Sequence, residues 1–150
     1  MQMDAIIVGG GNALNMIAIW KAQGIDTVIA KAYKKGIILA GGSAGSLCWF
    51  TNGISDSRPQ KLSIVQGLVC INASHCTHFS GEKERKPLYE SYILRNEISS
   101  GYACDDLAGI LFQNEKFVKA VSLDKDNNVY YVSVNKGQID ENKLDAEIIK

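Results

Sequence analysis

No apolar run in this 150-residue chain approaches the roughly 20 residues that a helix needs to cross a bilayer. The opening Met1-Gln2-Met3-Asp4 has no charged or apolar signal region, so no export signal is expected. Excess charge of either sign is also missing. Sixteen Lys and Arg balance sixteen Asp and Glu, which leaves no global field to draw nucleic acid or an anionic membrane. The longest basic cluster, Lys31, Lys34 and Lys35, reads as a solvated helix end. The four cysteines, Cys48, Cys70, Cys76 and Cys104, form no CxxC pair and keep no regular spacing. Reduced thiols in the cytoplasm are the expectation. A zinc site from Cys70, His75, Cys76 and His78 would fit no common ligand spacing. Histidine is scarce: His75 and His78 are the only two. There is no internal repeat and no low-complexity stretch.

What is present has an α/β rhythm in a length suited to one domain. Ala5-Ile6-Ile7-Val8 is a continuous apolar run closed by Gly9-Gly10-Gly11, as expected of a strand buried on both faces of a parallel sheet. Asn12 can cap the helix that follows, which ends near Gly24. A second helix is predicted over Asp26 to Lys35, stopped by Gly36, and a second buried strand over Ile37 to Ala40. This βαβ-like order predicts a parallel sheet. A helix is predicted over Ala44 to Phe50, then a loop over 51–62 containing Asn52-Gly53 and Pro59. A strand segment is predicted over Ile64 to Ile71, helical rhythm over Glu82 to Arg95 after an interruption at Pro87, and a strand near Tyr102 to Cys104. Gly109 to Val134, with Asp126-Asn127-Asn128, reads as antiparallel hairpins. The tail from Gly137 is polar.

The chemistry concentrates at Gly41-Gly42-Ser43-Ala44-Gly45, a G-x-S-x-G match between a predicted strand and a predicted helix. A serine on so sharp a turn projects from the sheet, and its strained backbone needs small neighbours. The N–H groups of the following helix point where an oxyanion would form. The competing reading is a glycine-rich turn that cradles phosphate or merely joins strand to helix. A serine nucleophile needs a base, and the chain offers only His75 and His78. The acid that would orient it is Asp56, Asp105 or Asp106, with Asp56 also a plain turn former before Pro59. Gly9-Gly10-Gly11 closes the other parallel strand, so it belongs on the same sheet edge and could supply a second oxyanion donor. As a dinucleotide loop it is weak, because Leu14 stands where a glycine is required.

Five stretches, in this order, resemble the peptidase E family of serine peptidases. They are Ile6-Ile7-Val8-Gly9-Gly10-Gly11-Asn12, Gly42-Ser43-Ala44-Gly45, Asp56-Ser57-Arg58-Pro59, Thr77-His78-Phe79 and Gly81-Glu82-Lys83-Glu84-Arg85. Ser46-Leu47-Cys48-Trp49-Phe50 and Ser74-His75-Cys76 are similar to the Gram-positive branch. The resemblance implies a three-layer parallel-sheet α/β fold like that of class I glutamine amidotransferases (flavodoxin-like), with C-terminal β-hairpins. It implies a single domain over 1–150, lacking the N-terminal βα portion usual in the family. It makes Ser43 the nucleophile, His78 the base and Asp56 the third member, with Asp106 the alternative acid. Gly11 and Ala44 would supply the oxyanion hole, and Asn12 and Arg85 would bind substrate. The bland reading of Arg85 is an exposed helix residue beside Glu82.

The implied reaction is hydrolysis of dipeptides or short peptides after an N-terminal aspartate, through an acyl-enzyme and without metal or organic cofactor. The expected partners are a small peptide substrate and, for the shortened domain, another copy of the chain or a complementing N-terminal fragment. Two rivals stand beside it: an inactive remnant serving as an interaction module, and another amidase or hydrolase on the same scaffold.

Overall fold

The computed structural model describes residues 3–149. The chain begins with strand β1 (Ala5–Val8), helix α1 (Ala13–Gln23), helix α2 (Ile25–Lys34) and strand β2 (Ile38–Gly41). Asn12 caps α1, its side chain accepting from the Asn15 N–H. Gly24, at φ 72°, ends α1 and starts α2. β1 and β2 pair in parallel, Ile6 opposite Leu39 and Val8 opposite Gly41. Val8 and Leu39 pack on the core formed with Ala13, Ile17 and Ile29. The other face carries Ala5, Ile7, Ile38 and Ala40. Ile7 and Ile38 are 79% and 64% exposed there. These strands are therefore covered on one face, not on both as their apolar runs predict.

After the short helix α3 (Ala44–Leu47) the chain enters strand β3 (Phe50–Ser55). The predicted helix over Ala44 to Phe50 is one turn long, and the predicted loop over 51–62 begins as a strand. Tertiary pairing overrides the Asn52-Gly53 turn signal. Asn52 and Gly53 lie in register with Gln66 and Val65 on one side and with Ser74 and His75 on the other. The segment predicted as one strand over Ile64 to Ile71 divides into β4 (Ser63–Gln66) and the start of β5 (Ile71–Cys76). Val69, at φ 60°, lies in the turn between them.

Helix α4 (Arg85–Leu94) holds Pro87 in its first turn, where no intrahelical N–H bond is lost, so there is no interruption. The remaining strands are β6 (Gly101–Cys104), β7 (Ala108–Gln113), β8 (Lys116–Ser122), β9 (Val129–Asn135), β10 (Gln138–Leu144) and β11 (Ala146–Ile148). Two-residue turns with positive φ at both positions close the hairpins: Asn114-Glu115 joins β7 to β8, and Lys136-Gly137 joins β9 to β10. Asp126-Asn127-Asn128 closes no hairpin. β8 and β9 belong to different sheets, and Asp124 Oδ1 gathers the N–H groups of Asp126 and Asn127 in the loop between them.

The main sheet has the order β10-β9-β6-β5-β3-β4, parallel through β6-β5-β3 and antiparallel at both flanks. β11-β8-β7 is a third, smaller sheet. The architecture is thus mixed α/β, with several sheets and few helices. One core gathers Ala44, Leu47, Trp49 and Phe50 with α1 and α2. A second gathers Phe79, Tyr89 and Ile93 with Ile54, Cys76 and Val132. No helix among the described residues is long and apolar enough to cross a membrane.

Candidate active site

Ser43 sits between β2 and α3 at φ 54°, ψ −120°. That backbone is strained for a residue with a Cβ, and it holds only where neighbouring structure determines it. Close packing supplies the constraint. A Cβ on Gly45 would lie 2.1 Å from the Val8 carbonyl oxygen, and one on Gly41 would lie 2.2 Å from the Gly45 oxygen. Only glycine at these two places lets the turn press onto the end of β1. Ala44, the next residue, is buried in the first core.

His78 follows β5, also with positive φ (55°). Phe79 pins it from the other side: its ring is fully buried in the second core, and its N–H donates to the Cys104 carbonyl at 3.0 Å. His78 Nε2 is thereby placed 2.9 Å from Ser43 Oγ. Its Nδ1 lies 2.5 Å from Asp106 Oδ1. An ionised carboxylate only accepts, so Nδ1 carries the proton and Nε2 is free to accept from the Ser43 hydroxyl. His78 and Asp106 are 31% and 50% exposed at their side chains, so both are open to solvent.

Asp106 owes its place to its neighbour. Asp105 is buried beyond β6, where its carboxylate accepts from the Ser80 and Asn128 N–H groups at 3.0 and 2.9 Å. Leu107 then turns the chain at φ 55°. Asp105 is thus spent on the loop, and the adjacent carboxylate reaches His78.

Asp56 is not brought to His78. It is 74% exposed, with Oδ1 3.8 Å from Arg85 Nη2. The motif it opens works through Ser57 instead. Ser57 Oγ accepts from the Leu14 N–H at 3.2 Å, and its carbonyl accepts from Asn12 Nδ2 at 2.8 Å, which ties the start of α1 to the end of β3. Both polar atoms of Asn12 are therefore engaged within the fold. Arg85 is buried, not exposed. Its Nε donates to Glu82 Oε2 at 2.6 Å and its Nη1 to the Ile54 carbonyl at 3.4 Å. Asp56, Arg58 and Glu82 line a cleft of about 530 Å³. The Gly9-Gly10-Gly11 turn passes the serine, and a Cβ on Gly10 would lie 3.4 Å from Ser43 Cβ. Gly11 has φ 143°, and Ala44 opens α3, where its N–H has no intrahelical acceptor.

His75 is fully buried and does not face Ser43. Its Nε2 lies 2.9 Å from Ser46 Oγ and its Nδ1 2.9 Å from the Tyr102 carbonyl. Burial pushes its pKa down to about 4. Sequence reasoning missed this second serine–histidine pair, although its signal was present: the spacing from Ser43 to Ser46 equals that from His75 to His78.

A hydroxyl bonded to an imidazole whose other nitrogen is held by a carboxylate is an arrangement that can perform nucleophilic acyl transfer. Comparison with known proteins gives this geometry a context. The family model of peptidase family S51 matches residues 1–120. Over 149 residues the chain is 38% identical to an uncharacterized peptidase, YgaJ, of Bacillus subtilis (strain 168). The match covers 99% of this chain and 64% of that protein, so the chain spans a little under two thirds of the relative's length.

Proposed function

The chain belongs to peptidase family S51, and we propose that it hydrolyses peptide bonds with Ser43 as nucleophile, His78 as general base and Asp106 as the orienting carboxylate. The observation that carries this reading is the chain of contacts from Asp106 through His78 to Ser43. Ser43 Oγ attacks the scissile carbonyl carbon while its proton passes to His78 Nε2. Asp106 holds the Nδ1 proton and stabilises the imidazolium. The N–H groups of Gly11 and Ala44 meet the oxyanion. His78 returns the proton to the leaving amine as the C–N bond breaks. It then takes a proton from the water that attacks the acyl ester and returns it to Ser43 Oγ as the ester C–O bond breaks. A layered scaffold like that of the class I glutamine amidotransferases belongs to the same proposal.

The substrate class is dipeptides or short peptides, with an N-terminal aspartate as the preferred residue. A buried substrate carboxylate needs a cation, and Arg85 is the buried one nearby. Glu82 already holds its guanidinium, so a substrate would compete with that pair. A panel of Asp-X and uncharged dipeptides tests the reading. Hydrolysis of Asp-X by the native chain and its loss in Ser43→Ala are expected. Full hydrolysis by Ser43→Ala would sink it, and equal turnover of uncharged amides would favour a broader amidase.

A second reading, an interaction module without turnover, draws on the uncovered apolar face of β1 and β2 at Ile7 and Ile38. Such a face suits another copy of the chain or a complementing fragment. A folded chain that hydrolyses no peptide would favour it.

A further inference from the structure

The chain entering α3 and the chain leaving β5 are bridged twice, at matching intervals. Ser43 meets His78 at 2.9 Å, and three residues along α3 Ser46 meets His75, three residues back along β5, also at 2.9 Å. The direction of the second bond follows from its far side. The Tyr102 carbonyl can only accept, so His75 Nδ1 carries the proton. Nε2 is then bare, and the Ser46 hydroxyl donates to it. The ring also stacks on Phe50 with centroids 4.3 Å apart, a contact that turning it out of plane would break.

This pair lacks what a second nucleophile requires. His75 is orientated by a neutral carbonyl, not by a carboxylate, and its burial opposes the imidazolium that a proton transfer from Ser46 would create. Its rigidity suits another task. Ser43 is held in a strained conformation just ahead of a helix of only four residues. Such strain persists where surrounding contacts over-determine it. We propose that Ser46 and His75 are a positioning pair, whose hydrogen bond sets the elbow helix in register with the strand that delivers His78. This inference rests on the reading of Ser43 and His78 as nucleophile and base.

The test compares Ser46→Ala, Ser46→Cys and Ser46→Thr with the native chain. Steady-state hydrolysis is measured on whichever dipeptide the native chain cleaves, with folding checked by circular dichroism. Misplacing a reacting group by about 1 Å costs about 10²-fold. Ser46→Ala is expected to lower kcat by about 10- to 100-fold at unchanged KM, and Ser46→Thr, which keeps the donor, to restore it. Unchanged kcat in folded Ser46→Ala would overturn the proposal, as would a loss that Ser46→Thr does not repair. Should Ser46→Ala fail to fold, Ser46→Cys keeps the volume with a weaker donor. A fall in its kcat supports the pair, and native kcat overturns it. Failure of the broader reading is told apart by ¹⁵N NMR of the two imidazoles, which needs no substrate. A chain that cleaves no peptide contradicts the peptidase reading. Even then, movement of the His78 ring signals in Ser46→Ala or Ser46→Cys supports the register role, and a change confined to His75 overturns it.

Discussion

Asp106 and His78 meet across 28 residues of sequence, Oδ1 to Nδ1 at 2.5 Å, while Asp56 lies against Arg85 at 3.8 Å. The two carboxylates therefore make different contacts. In a well-studied triad, changing the orienting carboxylate to an amide leaves the geometry but costs about 10⁴ in turnover by favouring the wrong tautomer. Asp106→Asn is expected to lower kcat by about 10³- to 10⁴-fold, and Asp56→Asn to leave kcat nearly unchanged. Parallel kinetics on one peptide substrate check both.

Gly81 gives Asp106 its room. A Cβ at Gly81 would lie 2.4 Å from Asp106 Oδ2. The exposed carboxylate can swing aside at little cost in stability, but swinging takes it off His78. Gly81→Ala is expected to keep stability within about 0.5 kcal/mol. Turnover should fall by about tenfold or more, as for other small misplacements. Urea unfolding alongside kcat separates the two effects.

Gly45 shows the opposite balance. Its Cβ would meet backbone, the Val8 carbonyl, which has no side-chain freedom to yield. Gly45→Ala is expected to cost about 1–3 kcal/mol through forced backbone shifts, together with loss of activity. Denaturant unfolding measures it.

His75 makes stability depend on pH. Its pKa in the fold is about 4, below the ordinary value of 6.5. Between those values the unfolded chain takes up a proton that the folded chain refuses. The stability contributed is therefore full above pH 6.5 and is lost as pH falls towards 4. Each pH unit crossed inside that window removes about 1.4 kcal/mol. Between pH 7 and pH 5 the native chain is expected to lose about 2 kcal/mol more than His75→Gln. Urea titrations of both proteins at the two pH values provide the comparison.

The serine turn was legible because its causes are local. A β-branched run, small residues around Ser43 and glycine where the backbone meets Val8 all lie within a few residues of one another. The shortage of histidine narrowed the partner of Ser43 to His75 or His78, and only the resemblance to the peptidase E family pointed to His78. The carboxylate was not readable from residue pattern. Its placement depends on Asp105 anchoring the loop beyond β6 through Ser80 and Asn128, contacts that only the folded sheet creates. Asn52-Gly53 failed as a turn signal for the same reason: strands on both sides of β3 outweigh local preference. The α/β class survived these local misses because it rests on the order of apolar runs. Coverage of those runs depends on neighbours, and so the exposure of Ile7 and Ile38 could not be read from them.

The central claim, that Ser43 is an activated nucleophile, is tested most directly by a serine-reactive phosphonate followed by intact-mass and peptide mapping. One adduct per chain is expected, on the peptide containing Ser43, absent in Ser43→Ala and slowed in Asp106→Asn. A folded native chain that acquires no adduct, or equal labelling of Ser43→Ala, would contradict it.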